Sequence, residues 1–212
     1  MRIKLLLFLL FISNMHSQSY LFDQELTYRF SYDSSYYDSV IYFNSDDPNY
    51  SLSLTFGQNS SGNKAFISDL KNKITHEYSF SKKMVGDDFE YSFVYLKSRV
   101  HQENPKLLNL SYKINNFSSD SLEADFTLYN NKKSTSVQTK ARLKFSETKK
   151  NLFPLSRFYI MDHSLENLDL KYPKNVVLDY VEHTVKGKKK TYKKLSINSI
   201  NFEIKAPKGI KY

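Results

Sequence analysis

Six segments of the chain alternate apolar and polar residues with a period of two. Successive side chains of a β-strand point to opposite faces, so each such segment carries one apolar and one hydrated face. In the first, Leu26, Tyr28, Phe30 and Tyr32 hold one phase while Glu25, Thr27, Arg29 and Ser31 hold the other. The pattern returns in Tyr50-Leu52-Leu54-Phe56, Leu108-Leu110-Tyr112-Ile114, Leu122-Ala124-Phe126-Leu128 and Val137-Ala141-Leu143-Phe145. The sixth, Ile74-His76-Tyr78-Phe80, places a histidine in the apolar phase. All six read as half-buried strands.

Five weaker candidates, around 38–43, 64–69, 89–96, 176–185 and 192–204, raise the expected total to about eleven. Bend-forming residues separate many of them, as in Asn44-Ser45-Asp46-Asp47-Pro48-Asn49, Asn59-Ser60-Ser61-Gly62-Asn63 and Val85-Gly86-Asp87-Asp88. Such short connections imply an antiparallel meander, because parallel neighbours need long crossovers. One interval departs from this rhythm. Between Asn151 and Asn175 the spacing of Leu155, Phe158, Leu165 and Leu168, bracketed by Pro154 and Pro173, predicts one or two short helices around 151–172 lying across the sheet. A closing hairpin turns at Lys186-Gly187-Lys188-Lys189, and its last strand changes phase near Asn198-Ser199, which predicts a bulge. About eleven twisted strands do not stay flat, so the expected architecture is a mainly β domain, an antiparallel meander curled into an incomplete barrel.

The first residues read as a secretory signal: Arg2 and Lys4 are followed by the eight-residue apolar run Leu5 to Ile12 and then by small and polar residues. Eight residues are too few to span a bilayer, which needs roughly 20. Cleavage after Ser19 leaves one β-rich domain of residues 20–212, exported to the periplasm or the exterior; cleavage after Ser17 fits the small-residue pattern nearly as well. No later stretch is long and apolar enough for a spanning helix. The chain has no cysteine, hence no disulfide. A domain of this size buries about 70% of its unfolded surface and needs no such staple.

Charge is unevenly placed. Residues 20–130 hold 10 basic and 15 acidic side chains, whereas residues 131–212 hold 19 and 7, within a formal net charge of +9. The basic half suits anionic lipid headgroups, acidic polysaccharide or an acidic partner. Nucleic acid is not expected outside the cell. The one dense run, Lys186, Lys188, Lys189, Lys190, Lys193 and Lys194, is the candidate site for an anionic surface. Its plainer role is a hydrated hairpin tip that discourages edge pairing.

Motifs for chemistry are scarce. His76, His101, His163 and His183 share no metal-ligand spacing. Asp162-His163-Ser164 gathers triad residue types, but adjacency in sequence does not align a hydrogen-bonded triad. Nucleophile-elbow and phosphate-loop motifs are missing from a chain with only five glycines. The expectation is a non-enzymatic binding protein with no cofactor and no metal, with a hydrolase drawing carboxylates or histidines from separate strands as the remaining alternative. With 17 Tyr and 16 Phe, the concave face of a curled sheet would be broadly aromatic. Tyr28, Phe30, Tyr50, Phe56, Tyr78, Phe80, Tyr112 and Phe126 are the candidate contacts for an apolar or amphipathic ligand there, a lipid or a lipidated partner. The alternative is a cell-envelope or surface protein that binds polysaccharide or a protein through exposed tyrosines and the basic hairpin.

The C-terminal segment Phe202-Glu203-Ile204-Lys205-Ala206-Pro207-Lys208-Gly209-Ile210 resembles the closing strand of the periplasmic lipoprotein-carrier family. That resemblance implies an incomplete antiparallel barrel covered by helices, with an apolar cavity that shelters acyl chains.

Overall fold

The computed structural model describes residues 17–56, 62–86, 88–100, 110–118, 122–158, 168–172, 174–185 and 187–207. The apolar leader run and Asp162-His163-Ser164 lie outside them. Eleven strands form: β1 (Ser17–Tyr32), β2 (Ser35–Phe43), β3 (Tyr50–Thr55), β4 (Lys64–Asp69), β5 (Ile74–Val85), β6 (Asp88–Val100), β7 (Ser111–Ser118), β8 (Glu123–Tyr129), β9 (Val137–Glu147), β10 (Val176–Val185) and β11 (Lys188–Pro207). They make one antiparallel sheet in the order β6-β5-β4-β3-β2-β1-β11-β10-β9-β8-β7, which does not close into a barrel. The first and last strands pair at its centre and join two meanders. Gln18 lies inside β1 and donates to Asp69, a contact that cleavage after Ser17 keeps and cleavage after Ser19 removes.

The phase change in β11 appears as a shift in the central ladder: Phe22 faces Phe202, but Gln24 faces Ser199. A second shift separates Thr27 from Tyr28, opposite Ser196 and Lys194. Each inserts one extra β11 residue, and such bulges bend a strand and increase its twist. The bending is large. In a flat sheet β1 and β5 would lie four spacings apart, about 19 Å. Yet the Tyr20 hydroxyl of β1 is 2.9 Å from His76 Nε2 of β5. Likewise Phe202 of β11 stacks on Phe93 of β6 with centroids 6.3 Å apart. The β1–β6 half is therefore rolled, so that the lower ends of β1 and β11 cover the inner face of β3–β6.

Burial at the end of β2 shows which faces are covered. Ile41, Tyr42 and Phe43 are consecutive and all buried, so both faces of the sheet are closed there. Tyr42 joins the rolled cluster with Tyr20, Phe22, Leu52, Ile67 and Tyr78. Phe43 points the other way, into a cluster with Leu26, Tyr28, Leu152, Leu155 and Val177. The third cluster lies on β8–β10 and is capped from outside the sheet by Phe153, Leu170 and Tyr172. Of the helices expected around 151–172, one forms, a 3-10 turn over Phe153–Phe158; residues 159–167 lie outside the described ones. Its Phe153 meets Phe145 edge-on at 5.7 Å, and Tyr172 stacks on Phe145 at 4.7 Å.

Candidate functional site

The histidine in the apolar phase of β5 anchors a buried polar chain. Tyr20 donates to Asp69 at 2.8 Å, and this carboxylate also accepts from the Asn72 backbone and side chain. The single phenolic proton of Tyr20 is thereby used, so in its contact with His76 the ring Nε2–H donates to the Tyr20 oxygen. Burial holds the imidazole below its ordinary pKa and keeps it neutral. Its bare Nδ1 then accepts from Ser98 Oγ at 2.7 Å, and Ser98 accepts from Tyr95 at 2.8 Å. The chain runs one way, from Tyr95 to Asp69, through β6, β5, β1 and β4. A serine donating to a histidine base is a nucleophile arrangement in outline, but Ser98 is only 4% exposed, which closes it to a substrate. We read the chain as the tie that holds the rolled half shut.

That tie makes stability pH-dependent. His76, lowered when folded, adds stability that is complete above its unfolded value of about 6.5 and is lost as pH falls toward the folded value. Asp69 is lowered too: burial opposes its charge, but the bonds from Asn72, Tyr20 and Gln18 outweigh it. Its share persists above the unfolded value of about 3.9 and disappears in stronger acid. The thermal midpoint should therefore fall between about pH 7 and 5.5, and His76→Gln should flatten that slope. Equal slopes in the two proteins, measured by circular dichroism melts, would refute the assignment.

The eight aromatic candidates do not line one concavity. Tyr50, Tyr78 and Phe80 pack in the rolled cluster, Tyr28 in the cluster behind β2, and Phe126 with Tyr112 in the capped one. Several hydroxyls are tied down as well: Tyr28 donates to the Leu178 carbonyl, Tyr50 to that of Leu21 at 2.8 Å, and Tyr112 to that of Asp169 at 3.0 Å. Phe56 is 52% exposed beside Phe80. Phe30 is half-buried and belongs to a different surface, one made by the hairpin tips.

Antiparallel order places the β1–β2, β3–β4, β5–β6, β8–β9 and β10–β11 connections at one end of the sheet, opposite the rolled end. The sheet splits there, because β3 pairs with β2 only at Ile41–Phe43 and β4 reaches β5 only as far as Ser79. The β1–β2 and β10–β11 tips stay joined through the pairs Phe30–Tyr192 and Tyr32–Lys190. Paired residues share a face. On this face Phe30 stands 4.9 Å from Tyr37 and 5.0 Å from Tyr192, centroid to centroid. Lys190 lies over Tyr32 at 5.2 Å and over Phe30 at 6.0 Å, and Lys188 over Tyr32 at 5.5 Å. On the opposite face Arg29 covers Tyr36 at 4.6 Å and holds Asp38 through two bonds of 2.8 and 2.9 Å.

The lysine run is thus divided. Lys188 and Lys190 share the aromatic face, while Lys189 and Lys193 alternate onto the other. Lys188 pairs with Asp33 at 2.9 Å, and Lys189 with Glu182 at 2.7 Å, which holds the Glu182 carboxyl below its ordinary value. Lys194 is largely covered and pairs with Asp179. Lys186 lies outside the described residues. Sequence reasoning missed the exposed Tyr36 and Tyr37, 66% and 59% accessible, and the exposed Lys132 and Lys133 of the β8–β9 turn. The parity of strands in a meander was the signal that places them at the end where the lysine hairpin turns.

A separate open groove of about 560 Å³ lies on β7–β10, lined by Asn115, Asp125, Thr127, Lys140, Arg142 and Glu182 among others. Its two acids and two bases balance. Among the described residues no group of three His, Cys, Asp or Glu gathers to hold a metal, and no helix is long and apolar enough to cross a membrane. No family model and no curated protein matches the chain.

Proposed function

We propose that this is an exported, non-enzymatic interaction protein of the cell envelope that docks on an anionic surface component through its hairpin end. The observation that supports this reading is that the hairpin tips bearing Lys132, Lys133, Lys188 and Lys190 and the exposed Tyr36 and Tyr37 all stand at one end of the sheet. The other reading, an acyl ligand inside the curved aromatic face, requires Tyr20, Phe22, Tyr50 and Phe202 to separate. Those rings stand 5.1 to 5.7 Å from one another in edge-on and stacked contacts. The hairpin end asks for no such opening.

Lysines close to an anionic surface contribute about 1 kcal/mol each at moderate salt. Replacing Lys132, Lys133, Lys188 and Lys190 together by glutamine should therefore weaken retention on isolated envelope material by about tenfold or more and reduce its salt sensitivity. Lys132, Lys133 and Lys188 are exposed and Lys190 half-buried, and surface changes seldom cost more than about 0.5 kcal/mol of stability. Retention that is unchanged in a folded quadruple variant would remove the charge mechanism.

A further inference from the structure

We infer that the anionic component is an acidic polysaccharide chain, bound across β2, β1 and β11 along the row Tyr37, Phe30, Tyr192. The inference rests on the docking role of the hairpin end and identifies what that end would hold. Three observations carry it. First, the row crosses the strands: Tyr37 and Tyr192 are the cross-strand partners of Phe30, and adjacent rings are 4.9 and 5.0 Å apart. The occupant is therefore extended. Second, the row is open at one end, where Tyr37 is 59% exposed, and partly open at Phe30 and Tyr192. The ligand must offer apolar patches to ring faces while staying in water. Third, the ammonium groups of Lys188 and Lys190 are held over Tyr32 and Phe30 on that same face. The ligand must also carry negative charge at short intervals.

A polymer of uronic or otherwise acidic sugars combines these properties, with C–H faces on its rings and carboxylates along its length. A bilayer fits less well. Asp33 occupies the turn of the β1–β2 tip, where the backbone is left-handed with φ 57°, and pairs with Lys188 at 2.9 Å, so the tip itself presents balanced charge to a flat anionic surface. Beside the exposed Met84 and Val85 of β5 stands the exposed Glu90 of β6, paired in register with Lys83. A flat membrane would meet these mixed charges at the tips, whereas a chain lying on the sheet face reaches the ring row and Lys190 directly.

The test uses the mature chain, polygalacturonate oligomers, neutral dextran oligomers and phosphatidylglycerol vesicles. Polygalacturonate should bind saturably and dextran much more weakly. Tyr37→Ala, at an exposed position, should weaken polygalacturonate binding by about fivefold with its salt dependence kept. Lys188→Gln with Lys190→Gln should flatten the salt dependence instead. Vesicle binding without polygalacturonate binding overturns this inference and leaves the docking function standing. Binding to neither overturns both. Polygalacturonate binding that ignores Tyr37→Ala, in a variant whose circular dichroism is native, overturns the aromatic row as the site.

Discussion

Asp69→Ala is expected to destabilise the protein by about 3–5 kcal/mol, because it removes the acceptor on which a buried chain of hydrogen bonds ends. Asp69 is 2% exposed and accepts from Tyr20, Gln18 and both the backbone and side chain of Asn72. Alanine would strand the Tyr20 hydroxyl and the Asn72 backbone N–H, and each buried donor left without a partner costs about 1–3 kcal/mol. The other neighbour of the Tyr20 hydroxyl, His76 Nε2, already carries its own proton, so Tyr20 could be satisfied there only by forcing the imidazole into the other tautomer and disturbing Ser98. Against a total stability of about 5–15 kcal/mol, the loss is a large fraction. Urea unfolding should show the midpoint falling with the slope unchanged. Tyr20→Phe should cost less in the Asp69→Ala background than in the native protein, since both changes break one network. Additive costs would mean that the two groups do not act together.

Phe153→Ala should cost about 3–5 kcal/mol, by deletion of a large buried ring that the surroundings cannot replace. Phe153 is 2% exposed and sits between Phe145 and Tyr172. Its segment is pinned at the backbone: Leu152 N–H donates to the Val176 carbonyl at 2.9 Å, Phe153 N–H to Asn151 Oδ1 at 3.1 Å, and Asn151 Nδ2 to the Tyr172 carbonyl at 3.1 Å. A pinned cap cannot sink to fill the void, which favours the upper part of that range. The variant should also bind a polarity-sensitive dye more strongly than the native protein as Leu178 and Phe145 become reachable. A loss below about 1 kcal/mol would show that the cap is dispensable.

Period-two alternation was enough to locate β1, β3, β5, β8 and β9, because the apolar residues of each enter a core from alternate positions while polar ones fill the other phase, even where that phase is covered, as at Ser51, Glu77 and Thr127. It was weaker where both phases are apolar. Ile41-Tyr42-Phe43 and Val176-Val177-Leu178 are continuous apolar runs, since neighbouring residues enter different clusters. The phase change in β11 was legible because a bulge leaves its mark in a single strand. How the sheet rolls was not, as it depends on which distant side chains meet. Asp69 illustrates this: it reads as an ordinary turn acid, and only the approach of Tyr20, 49 positions earlier, gives it a role. At the hairpin end the lysine run was evident in sequence. Its division between two faces follows from the register of β10 and β11, which begins at Lys188 opposite Val185.

The pairing of the first strand with the last has a consequence for how the molecule is made. Ser17 lies opposite Pro207, so the central ladder joins residues 190 positions apart, and the earlier strand leaves the ribosome long before the later one. Until the final stretch emerges, β1 has a bare edge and the rolled half lacks part of its lid. Contacts so distant along the chain slow folding and prolong exposure of unpaired strands. A chain built this way completes its sheet only once β11 has emerged, and depends until then on whatever keeps incomplete polypeptides apart.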